Sequence, residues 1–61
     1  MANIIDFSNA LTQEGKLAKT YAKLAEESTN EEYKKHLEEL VSLSEQKMKL
    51  VHKLLTEINW F

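Results

Sequence analysis

Ser28-Thr29-Asn30-Glu31-Glu32 is the one polar break in a chain that otherwise repeats apolar residues at helical spacing. The chain has no proline, and its only glycine, Gly15, lies far from this break, so nothing else punctuates the pattern. The five residues have the form of a capping box. Thr29 can cap a following helix, and Glu32, at the third helical position, can reach back to it. Acids in that first turn also suit the positive end of the helix dipole. A connection this short folds the two flanking helices into an antiparallel hairpin. The expected class is therefore all-α, a single domain over 1–61, with helix 1 over about 6–27, a turn at 28–29 and helix 2 over about 30–59.

Working outward, helix 1 carries a stripe of Phe7, Ala10/Leu11, Leu17/Ala18, Tyr21 and Leu24/Ala25, with Asp6 and Ser8 both suited to cap its start. Residues 1–5 read as a lead-in. Helix 2 carries Tyr33, Leu37, Leu40/Val41, Ser44, Met48, Val51, Leu55 and Ile58. Glu14 falls inside the first stripe, one heptad after Phe7 and one before Tyr21. A carboxylate there must be paired, protonated or metal-bound, because an unpaired buried charge is very costly. Folding the hairpin about its turn sets Glu14 opposite Ser44, the one polar gap in the second stripe, with Lys47 a turn away. Glu14, Ser44 and Lys47 are thus expected to form a buried polar pair. Gly15, beside Glu14, costs about 1 kcal/mol relative to alanine within a helix. It reads either as a tolerated glycine or as room for a partner helix.

Sixty-one residues support only a thin core, and there is no cysteine to staple it. Helix 2 also carries a second apolar stripe, Leu43, Leu50, Leu54 and Phe61, about 100° from the first. Trp60 and Phe61 extend past the level where helix 1 should begin. Surplus apolar surface of this kind marks an interface. The economical arrangement is two hairpins forming a homodimeric four-helix bundle with twofold symmetry, with Leu43, Leu50, Leu54, Trp60 and Phe61 at the contact. A different protein is the other candidate partner.

The charge balance and the length of the apolar runs argue against DNA and membrane partners. Net charge is −2 and the eight basic residues, all lysine, are interspersed with acids, so no basic face for DNA is apparent. No apolar run approaches the roughly 18 residues needed to cross a membrane. Met1–Asp6 lacks the basic and apolar regions of a secretory leader, so a cytoplasmic location is the default expectation.

Glu14, seven residues before Tyr21, followed by Leu24-Ala25, a polar turn, acids and a leucine-rich helix, resembles one half of a rubrerythrin-like member of the ferritin-like superfamily. The likeness spans about residues 10–50. It implies a di-iron carboxylate site, shared across the oligomer, with Glu14 and Glu45 holding iron or another divalent metal. The family's second helix carries Glu-x-x-His. Here that stretch is Glu45-Gln46-Lys47-Met48, with methionine in the histidine place, and a gapless register instead sets Lys47 and Leu50 at the ligand positions. The nitrogen ligand is missing either way, so no cofactor is expected.

His36 and His52, sixteen residues apart on one helix, cannot share a site within the chain. Glu32 and Glu39 flank His36 at metal-ligand spacing, a pattern that charged helices produce commonly. Tyr21 and Tyr33 suit the edge of a core, and Glu31/Lys34/Lys35/Glu38 a solvated face. No nucleophilic triad, phosphate loop or redox motif is present. The leading expectation is a small non-enzymatic, self-associating helical bundle with a structural, regulatory or protein-binding role. The alternatives are a ferritin-like metal protein and a small RNA-binding hairpin dimer.

Overall fold

The computed structural model describes residues 4–58. Helix α1 spans Ile4–Glu27 and helix α2 spans Glu31–Ile58, and the two pack along their length as a hairpin. Helix α1 starts ahead of the two expected caps. Asp6 lies in its first turn, and the Ser8 carbonyl, already inside the helix, accepts the Thr12 hydroxyl at 3.0 Å. Thr20 and Thr56 likewise donate to the carbonyls of Lys16 and His52 four residues back, which satisfies these hydroxyls within their own helices.

The cap of α2 is made by Asn30 rather than Thr29. The Asn30 side-chain oxygen accepts the amides of Glu32 at 3.0 Å and Tyr33 at 3.1 Å, two of the donors that a helix start leaves open. Asn30 keeps the first intrahelical bond through its own carbonyl, which accepts the Lys34 amide at 2.9 Å. Ser28 ties the turn together: its amide donates to the Ala25 carbonyl, and its hydroxyl accepts the Asn30 amide and donates to the Asn30 carbonyl.

The seam between the helices follows a strict four–three spacing. From α1 it takes Phe7, Leu11, Glu14, Ala18, Tyr21 and Ala25, and from α2 Lys34, Leu37, Val41, Ser44, Met48, Val51 and Leu55, all buried or half-buried. This is the heptad spacing of helices that keep one edge toward each other along their whole length. Two expectations change here. Tyr33, expected in the stripe, is 66% exposed, and Lys34 takes the inward place, half-buried, lining one concavity with Ala25 and Val41. Where two adjacent residues both suited the stripe, Ala18, Ala25 and Val41 turn in, and Leu17, Leu24 and Leu40 turn out.

The most buried positions of the seam are small residues. Ala18, Ala25 and Ser44 are the buried side chains among the described residues. Small side chains let two helices approach closely, but they remove little apolar area from water. The molecule accordingly measures 48 × 14 × 13 Å, and its radius of gyration is 14.2 Å. A compact domain of this length would have about 10.5 Å.

Candidate functional site

Glu14 projects from the middle of α1 into the seam, and α2 answers it with two groups one turn apart, Ser44 and Lys47. The Lys47 Nζ lies 3.4 Å from Glu14 Oε1, and the buried Ser44 hydroxyl donates to the same carboxylate. The Glu14 side chain is only 15% exposed, whereas that of Lys47 is 69% exposed and approaches from the open side. The Glu14 carboxyl is held below its ordinary value of 4.5, first by the Ser44 hydrogen bond and then by Lys47, against the opposing pull of desolvation. It is therefore ionised at neutral pH and engaged as an acceptor. That suits pairing better than proton transfer, which needs a group poised near the working pH.

The surroundings of the pair are mostly apolar. Leu17, Tyr21, Leu40 and Leu43 line a shallow concavity with Glu14, Ser44 and Lys47, and toward the open end Ala10, Gln13 and Val51 continue it. At the turn end Leu24, Tyr33, His36 and Leu37 line another. These concavities lie on one flank of the hairpin, because in an antiparallel pair the residues preceding Ala18 and Ala25 fall on the same side as those preceding Val41, Met48 and Leu55. Of the nine exposed large hydrophobics among the described residues, seven belong to this flank: Leu17, Leu24, Tyr33, Leu40, Leu43, Leu50 and Leu54. The opposite flank is polar, with Ala22 and Ala25 set among Glu26, Lys34 and Glu38.

Leu43, Leu50 and Leu54, singled out from sequence, are thus part of a broader face to which α1 contributes Leu17 and Leu24. Those two were expected in the inward stripe, each beside an alanine that fits the period equally well, and the structure turns them out. Leu50 is the most open of the leucines at 64%. Trp60 and Phe61, expected to extend the face, lie outside the described residues.

Glu45, the other carboxylate implied by the ferritin-like resemblance, is exposed one residue beyond Ser44, on the side away from Lys47. The place beside Glu14 is filled by the Lys47 ammonium. Among the described residues no group of three or more His, Cys, Asp and Glu side chains could hold a metal ion. His36 sits in the turn-end concavity of the apolar flank, and His52 is exposed on the polar one. No described helix is long and apolar enough to cross a membrane. Compared with protein-family models, with curated proteins and with solved structures, the chain finds no match.

Proposed function

We propose that this chain is a self-associating helical hairpin, whose apolar flank closes on the same flank of a second copy to form a four-helix bundle with a structural or protein-binding role. The observation that carries this reading is the one-sidedness of the exposed leucines. Scattered surface leucines are ordinary, but leucines gathered along one flank of a thin hairpin are a surface that lacks its cover.

The area agrees with a second copy as that cover. The chain exposes 5187 Å², whereas a compact monomer of 7.1 kDa exposes about 4,100 Å². The difference, roughly 1,100 Å², is what each partner gives up in a specific dimer, for which about 800 Å² per side is standard and permanent homodimers exceed it. An identical hairpin has a matching length and a matching stripe, and the pairing is self-complementary as a twofold interface requires.

Sedimentation equilibrium at micromolar concentration tests this. The expected mass is twice the 7.1 kDa of one chain, with helicity and mass falling together on dilution. A fully helical species of single-chain mass would overturn the reading.

A further inference from the structure

We infer that the Glu14–Lys47 pair is the element that sets the register of the assembled bundle: two such pairs meet across the interface and admit one alignment of the hairpins. The inference rests on the self-association proposed above and adds what selects among its alignments.

With Glu14 opposite Ser44, reflection about the turn sets Leu54 level with Ile4 and Tyr33 level with Ala25. These are the two ends of the apolar flank. Glu14 stands midway, about 15 Å from either end at 1.5 Å per residue. A twofold axis can run along the hairpin or across it. Whenever the two flanks overlap in full, midpoint meets midpoint, and each Glu14 comes level with its counterpart.

Charge then discriminates. The two groups lie within leucines: Leu17, Leu40 and Leu43 toward the turn, Ala10, Leu50 and Val51 toward the open end. In full overlap each carboxylate meets the second pair, and two lysines and two glutamates can alternate. Slipped by one heptad, each pair is desolvated against a leucine layer, and leucines at both ends return to water. A polar group at one layer of an apolar helix interface specifies register in this way, at some cost in stability. Lys47 is suited to the task because its ammonium is exposed in the single hairpin and free to turn toward an incoming partner.

The test is complementation in trans. Chains carrying E14K and chains carrying K47E are mixed in equal amounts, unfolded and refolded together, and their dimers are counted by native mass spectrometry. The E14K homodimer would place four lysines at the centre and the K47E homodimer four glutamates, whereas the mixed dimer balances two against two. The expected result is a mixed dimer well above the statistical half. A statistical mixture, or sorting of each variant with itself, would overturn the inference. Should the single variants fail to fold, E14L/K47L reports instead. It is expected to melt higher than the unaltered chain while spreading over more than one alignment or mass, and a single well-defined dimer from that variant would overturn the inference too. An unaltered chain that sediments as a monomer would instead overturn the self-association on which the inference rests, so the two failures are distinct.

Discussion

The Lys47 ammonium lies 3.4 Å from the Glu14 carboxylate, and the hydrogen bond from the buried Ser44 hydroxyl is the largest single influence holding that carboxylate below its ordinary range. A mostly exposed ammonium is screened by water, and a buried hydroxyl is not. Ser44→Ala is therefore expected to raise the Glu14 pKa more than Lys47→Met does. Titration of the Glu14 carboxyl carbon by NMR in the two variants checks the order, and a larger rise in Lys47→Met would reverse it.

The same shift fixes a pH dependence. A carboxyl whose folded pKa is depressed binds fewer protons folded than unfolded, so its contribution to stability is complete above its ordinary value of 4.5 and is lost as pH falls through the lowered one. Glu14→Gln keeps an acceptor for Ser44 but does not titrate. Its melting temperature is expected to lie slightly below that of the unaltered chain at neutral pH and to converge with it in acid. A difference that stays constant down to strongly acid pH would count against the pair as the source.

Gly15 has room for a side chain. A Cβ built there would meet the Met48 sulfur at 3.7 Å, an ordinary van der Waals contact. Of the two readings of this glycine, the structure favours the tolerated one over clearance for a helix. Gly15→Ala is expected to stabilise by about 1 kcal/mol and to raise the melting temperature by roughly 4–8 °C. A destabilised Gly15→Ala would mean that another helix approaches this position in the assembly.

Asn30 carries the cap of α2 through two amide bonds. Asn30→Ala is expected to cost about 1 kcal/mol, and Thr29→Ala much less. Denaturant melts of the two variants separate them, and equal losses would return part of the cap to Thr29.

Leu17 and Leu24 extend the apolar flank onto α1. Leu17→Glu and Leu50→Glu are each expected to lower the sedimentation mass to one chain and to reduce helicity. Ser42→Glu, an exposed site away from that flank, should do neither. An unchanged mass for Leu17→Glu together with a reduced one for Leu50→Glu would confine the interface to α2.

The ferritin-like resemblance predicts iron, and the Lys47 ammonium beside Glu14 predicts none. Elemental analysis of protein purified without chelator is expected to find no stoichiometric metal. Iron at one or more equivalents, lost in Glu14→Ala, would restore the carboxylate-site reading.

The sequence by itself determined that there are two helices, where they turn, and which polar residues meet. One polar break in an otherwise unbroken helical period leaves no other topology, and an antiparallel hairpin hinged there aligns Glu14 with Ser44 and Lys47 by counting alone. Periodicity could not decide between Leu17 and Ala18, Leu24 and Ala25, or Leu40 and Val41, because neighbours 100° apart both fit a broad stripe. Only packing chose. The seam takes Ala18, Ala25 and Val41 and turns Leu17, Leu24 and Leu40 out onto one flank. Thr29 and Asn30 were ambiguous for a similar reason, since either side chain can cap and only the backbone path through the turn aims one of them at the open amides. The tertiary structure thus converted a hairpin with a few surplus apolar residues into one with an apolar flank built by both helices, because at three levels the smaller of two neighbours takes the seam and leaves its leucine outside.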